Sequence, residues 1–136
     1  MTELKIEAKI ERLPDVSGWL EEQLEKGDCP PKLMKKLELL VEELFVNIAS
    51  YAYGPEGGDA VFQADFPREG LFRLVIRDWG TPFDPMKKED PDITLPAEKR
   101  DVGGLGVFLV KKLADRIDYA YEDGQNVVTI EKDLKV

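Results

Sequence analysis

Residues 60–78 read AVFQADFPREGLFRLVIRD, two alternating runs joined by a turn. In the first run Ala60, Phe62, Ala64 and Phe66 share a face; in the second Phe72, Leu74 and Ile76 do, with Arg73 and Arg77 opposite. Period-two alternation marks strands with one buried and one wet face, and Pro67 to Gly70 supplies the turn. Strands enclosed by helices on both sides read instead as unbroken apolar runs, so a doubly covered parallel sheet fits poorly. The expected fold is an α/β (α+β) two-layer sandwich, with a mixed, mostly antiparallel sheet of about five strands and three helices on one face.

Outward from the hairpin, Leu4, Ile6, Ala8 and Ile10 alternate with Lys5, Glu7 and Lys9, which predicts a strand over 4–10. Val16, Trp19, Leu20 and Leu24 follow at helical spacing behind an N-cap candidate, Asp15. A long helix is expected from about Lys32 to Tyr51. Its stripe of Leu33, Leu37, Leu40, Leu44 and Ile48 is widened by Leu39, Val41, Phe45, Val46 and Ala49, so it reads as largely buried. Residues 81–102 are irregular, with Pro82, Pro85, Pro91 and Pro96 among many charges. Leu105, Phe108, Leu109, Leu113 and Ile117 then mark a third helix. Ile117, Tyr119 and Tyr121 begin a strand, Asp123-Gly124 is a hairpin turn, and Val128 and Ile130 share a face of the last strand.

The chain has 136 residues, which suits one domain spanning 1–136. No apolar run approaches the roughly 20 residues a membrane-spanning helix needs. A net charge of −9 disfavours nucleic acid and anionic membranes as partners. The same field repels a triphosphate, so a site for one needs a cation, backbone N–H groups or basic side chains. With one cysteine, Cys29, no internal disulfide is available, and a reducing cytoplasm is the expected setting. With no histidine, Cys–His and Ser–His catalysis and histidine metal sites are excluded.

Three short motifs carry chemistry. Glu43 and Asn47 stand four apart in the long helix and so share a face, where a hydrated Mg²⁺ would suit the pair; taken alone, a solvated helix edge is the plainer reading. Asp78-Trp79-Gly80-Thr81-Pro82-Phe83 follows a strand, which places a carboxylate acceptor beside a glycine that admits a flat ligand, or makes an ordinary Asp-x-Gly turn. Gly103-Gly104-Leu105-Gly106 opens a helix, a geometry suited to anions or to a hinge. It has neither the dinucleotide-motif spacing nor the P-loop ending.

In that order the motifs resemble the N, G1 and G2 boxes of the ATP-binding domain shared by gyrase, heat-shock chaperone ninety, sensor histidine kinases and mismatch-repair ATPases. The resemblance covers nearly the whole chain. Ile76 to Pro85, Gly103 to Val110 and the ending Asn126-Val127-Val128-Thr129-Ile130 are most similar to free-standing bacterial anti-sigma factors that are also serine/threonine kinases. The chain departs from the pattern at Tyr51-Ala52, where relatives often carry His-Gly, and at Pro82, which replaces a second G1 glycine.

The resemblance implies ATP and Mg²⁺ as cofactors. Glu43 would be the general base, with the adjoining Glu42 as its alternative, and Asn47 the Mg²⁺ ligand. Asp78 would take the adenine amino group, with Thr129 helping through water. Phe83, Gly103 and Leu105 fall within the nucleotide-binding boxes, while Gly80, Gly104 and Gly106 would admit the nucleotide. Residues 84–102 would be the lid, and Arg100 would reach a terminal phosphate. Implied partners are a sigma factor, a small anti-anti-sigma antagonist that would be the kinase substrate, or both, with a homodimer in addition. The role would be transcription regulation. Two other readings stay open: a nucleotide-dependent binding module without kinase activity, and a detached histidine-kinase catalytic domain.

Overall fold

The computed structural model describes residues 1–84 and 112–135. Its elements are β1 (Thr2–Glu7), α1 (Leu13–Lys26), α2 (Pro31–Asn47), β2 (Asp59–Arg68), β3 (Leu71–Asp78), β4 (Arg116–Glu122) and β5 (Gln125–Asp133). A short 3₁₀ turn, Ile10–Arg12, precedes α1, and a π-helical turn, Ile48–Ala52, follows α2.

The strands form one five-stranded sheet in the order β1-β2-β3-β5-β4. Every described pairing is antiparallel, so the expected parallel component is absent among the described residues. The register aligns Leu4 with Phe62, Phe62 with Ile76 and Ile76 with Val128. These side chains face the helices, and Phe45 of α2 and Trp19 of α1 pack on Phe62. Val16, Leu20 and Leu24 from α1 and Leu37, Leu40, Val41 and Leu44 from α2 complete the core.

The other sheet face carries polar side chains laid over Val61, Val75 and Val127, which are buried there with no covering helix among the described residues. Gln63 donates to Glu3 at 2.8 Å, and Arg77 donates to Gln63 at 3.2 Å and to Gln125 at 3.4 Å. Arg73 grips Asp65 through two bonds of 2.9 and 2.6 Å. The aliphatic stems of these long side chains shield the valines while their heads stay wet.

Several boundaries depart from expectation. The first strand ends at Glu7, and Ile10 lies 55% exposed in the 3₁₀ turn. Helix α1 begins at Leu13, with Pro14 in its first turn, so Asp15 is not its cap; Asp15 sits inside that turn, where an acidic group complements the helix dipole, and pairs with Arg12 at 3.3 Å. Helix α2 is amphipathic rather than buried all round, for Leu39 is 53% exposed. Its α-helical part stops at Asn47 and the chain widens into the π turn. Two α-helices are described rather than three. Of the expected third, only Lys112 and Leu113 are helical among the described residues, the part before Lys112 lies outside them, and Ile117 belongs to β4. No helix among the described residues is long and apolar enough to cross a membrane.

Two turns follow local chemistry. Asp123 and Gly124 both have positive φ, 53° and 75°, the two-residue geometry that matches strand twist. Pro67 lies where the β2–β3 register shifts, a position at which its missing N–H costs no ladder bond.

Candidate nucleotide-binding site

A cavity opens between the C-terminal end of α2 and the ends of β3 and β5. Leu44, Asn47, Ile48, Tyr51 and Ala52 form the helix wall; Ile76, Asp78 and Val128 form the sheet wall; Thr81, Pro82, Phe83 and Asn126 close the end. The lining is mostly apolar, which suits a flat ring held by few polar groups.

Asp78 is the last residue of β3 and is only 6% exposed. Its Oδ1 accepts from the Gly80 N–H and from Asn126 Nδ2, both at 2.9 Å. Its Oδ2 has no partner among the described residues, and no fully enclosed side-chain polar atom is left unpaired there. Oδ2 therefore has open surface, and the surface it has is the cavity: one carboxyl oxygen is filled by the fold and the other is offered to a donor.

The loop after Asp78 is fastened at three points. Thr81 N–H donates to the Ala52 carbonyl at 2.8 Å, tying the loop to the π turn. Trp79 N–H donates to the Tyr53 hydroxyl at 2.8 Å, and that hydroxyl donates to the Asp59 carbonyl at 2.6 Å. Asn126 Oδ1 accepts from Phe83 N–H at 3.0 Å and from the Tyr119 hydroxyl. Burial pushes both tyrosine hydroxyls above their ordinary range, so they remain protonated donors.

Of the residues singled out in the sequence, Asn47, Asp78 and Phe83 come together at the cavity. The Asn47 side chain has no hydrogen bond to a described residue and lines the cavity. Glu43 lies one turn before Asn47, half-buried and outside the cavity lining. Glu42 is turned elsewhere: its Oε1 accepts from Ser17 Oγ of α1 at 3.1 Å. Gly80 packs against Ala52, so its lack of a side chain serves loop docking.

Thr129 does not line the cavity. The register pairs it with Val75 and Asp118, and alternation sends it to the opposite sheet face from Val128. Arg100, Gly103, Gly104, Leu105 and Gly106 lie outside the described residues, as does all but the first residue of the 84–102 segment. Among the described residues, no group of three or more acidic or cysteine side chains converges on a metal-binding point.

Asn126 is the residue that reading the sequence missed. Its signal was present, for a polar side chain two positions from Val128 occupies the core face of β5, where an amide needs partners. Without knowing that β5 pairs with β3, its partner Asp78 could not be assigned.

A family model described as the histidine kinase-like ATPase domain matches residues 6–132. The serine-protein kinase RsbW of Listeria monocytogenes is 29% identical over 100 residues, covering 70% of this chain and 63% of that relative. The chain thus spans less than two thirds of that relative's length. The serine/threonine-protein kinase BtrW of Bordetella bronchiseptica is 26% identical over 116 residues, 85% of this chain and 82% of the relative. Among solved structures, the RsbU and RsbW domains of a Mycobacterium tuberculosis protein superpose with a TM-score of 0.65 at 15% identity, covering 98% of this chain and 33% of that one. The histidine kinase AdeS of Acinetobacter baumannii gives a TM-score of 0.56 at 14% identity, covering 100% of this chain and 69% of that one. These structural likenesses speak to fold; the family match runs from β1 through β5, and the chain belongs to the histidine kinase-like ATPase domain family.

Proposed function

We propose that the chain binds ATP in this cavity and transfers its terminal phosphoryl group to a serine or threonine of a small antagonist protein, acting as an anti-sigma factor kinase. The observation that carries the reading is Asp78, with one carboxyl oxygen filled by the fold and the other open to an apolar cavity. An adenine amino group is the donor that such an acceptor fits. The kinase names of the relatives support the reaction class.

Asn47, on the facing helix wall, would hold Mg²⁺ through its side-chain oxygen. One protein oxygen suits an ion that keeps several waters and takes phosphate oxygens. The bound ion would supply charge neutralisation at the phosphates. Glu43, one turn earlier, would accept the proton of the substrate hydroxyl as its oxygen bonds to the terminal phosphorus and the bond to the leaving diphosphate breaks. The engagement of Glu42 with Ser17 supports Glu43 as the base. The 84–102 segment would close over the phosphates, with Arg100 and the Gly103-Gly104-Leu105-Gly106 backbone contacting them. The partners would be a sigma factor and the antagonist that competes for it, in the cytoplasm, with a homodimer as the working form.

A second reading has one observation in its favour: Glu43 lies outside the cavity lining. On that reading ATP is a structural ligand and the chain acts by holding its partner. The deciding experiment is capture of partners with and without Mg-ATP, followed by radiolabel transfer from γ-labelled ATP. Acid-stable label on a small captured protein supports serine or threonine transfer; acid-labile label points to histidine. ATP-dependent capture without label supports the binding module.

A further inference from the structure

We propose that Asn126 is a positioning residue that sets nucleobase choice by holding the Asp78 carboxyl toward the base. The proposal rests on the nucleotide reading above and deepens it.

Asn126 is 4% exposed and shares its core-facing position with Asp78 across the β3–β5 pair. Its Nδ2 donates to Asp78 Oδ1 at 2.9 Å and to the Thr81 carbonyl at 3.0 Å, with the Gly80 carbonyl at 3.5 Å. Its Oδ1 receives the Phe83 N–H and the Tyr119 hydroxyl. Reversing the amide would set its oxygen against acceptors that have no hydrogen to give and its NH₂ against the Phe83 N–H. The partners therefore dictate the orientation.

That orientation reaches the cavity through Asp78. With Oδ1 held by Asn126 and by the Gly80 N–H, the carboxyl cannot rotate freely. What remains toward the cavity is an acceptor. A base edge carrying an exocyclic amine pairs with it, whereas a 6-oxo edge brings a second acceptor against it. A carboxyl released from Asn126 can turn away from the base edge, which loses the bond to an amine and relieves the clash with a 6-oxo group. The hydroxyl of Tyr119 strengthens the lock one step further out.

The test is calorimetric measurement of ATP and inosine triphosphate binding to the full chain. The wild type should prefer ATP by about tenfold or more, the size of one mispaired buried group. Asn126→Ala should bring the ATP-to-inosine-triphosphate ratio close to one by losing ATP affinity and keeping or gaining inosine triphosphate affinity. Tyr119→Phe should move the ratio the same way by a smaller factor, and it decides the matter if Asn126→Ala does not fold. An unchanged ratio in the folded variant, with both affinities falling together, marks Asn126 as merely structural and overturns the proposal. A wild type that binds both nucleotides equally also overturns it. A wild type that binds neither overturns the nucleotide reading itself.

Discussion

Gly80 and Ala52 touch backbone to backbone: a β-carbon on Gly80 would lie 2.6 Å from the Ala52 carbonyl carbon and closer still to its oxygen. That same oxygen accepts the Thr81 N–H at 2.8 Å. Gly80→Ala must therefore push the loop off the π turn and stretch its fastening. Overpacking of this kind costs about 1–3 kcal/mol, which for a chain of this size is a fall of roughly 3–12 °C in melting temperature. Gly54→Ala is the control, since nothing lies near its added carbon. Equal melting temperatures for the two variants would show that the loop docks elsewhere.

Asp78→Asn keeps its fold contacts and changes only what faces the cavity. The asparagine oxygen can still accept from Gly80 and Asn126, which leaves an NH₂ group where Oδ2 was. A donor then meets the donor of the base, and ATP affinity should fall by about 1–3 kcal/mol, or roughly 5- to 150-fold. Calorimetry with an unchanged melting curve checks it. Undiminished affinity would remove Asp78 from the base site.

The two adjacent glutamates should separate in a transfer assay. Glu43→Gln should still bind Mg-ATP and its partner, yet transfer phosphate about 10²–10⁴-fold more slowly. Glu42→Gln retains an acceptor for Ser17 Oγ and should transfer at the wild-type rate. The reverse pattern would move the base to Glu42.

Alkaline pH should weaken the fold through Tyr53 and Tyr119. Both hydroxyls titrate above the ordinary tyrosine value of 10.0 because burial disfavours the phenolate. The unfolded chain loses these protons first, so the stability they contribute is full below pH 10 and drains away as pH rises toward the folded values. Melting curves across that range should fall more steeply for the wild type than for a Tyr53→Phe, Tyr119→Phe double variant. Parallel curves would show that neither proton is linked to folding.

The 60–78 hairpin was legible because its alternation is local; the sheet it enters has the expected wet face but is antiparallel in every described pairing, where a mixed, mostly antiparallel one was expected. The core stripe of α2 was legible for the same reason, but its width was not. Leu39 reads as one more apolar residue and is exposed because α1 and the sheet cover only part of the helix surface. Asp15 misled because the residue types favoured at an N-cap and in the first turn overlap, and Asp15 stands three positions after the N-cap, Arg12. Asp78 could be found from its place at a strand end followed by glycine. Thr129 was misplaced and Asn126 overlooked for a single reason: a one-residue step along β5 exchanges the two sheet faces, and only the cross-strand register says which residue meets Asp78.

Strand order carries a consequence for how the molecule comes together. The cavity needs the end of α2, the end of β3 and the start of β5, and the Asn126–Asp78 bond alone closes a span of 48 residues. Such distant pairings are made late, after local hairpins and helices have formed. A ligand that bridges all three elements meets no binding surface in a partly folded chain. It stabilises only the finished one, by about 2.7 kcal/mol at a hundredfold excess over its dissociation constant. Nucleotide concentration would then govern how long this chain survives proteolysis as well as how often it acts.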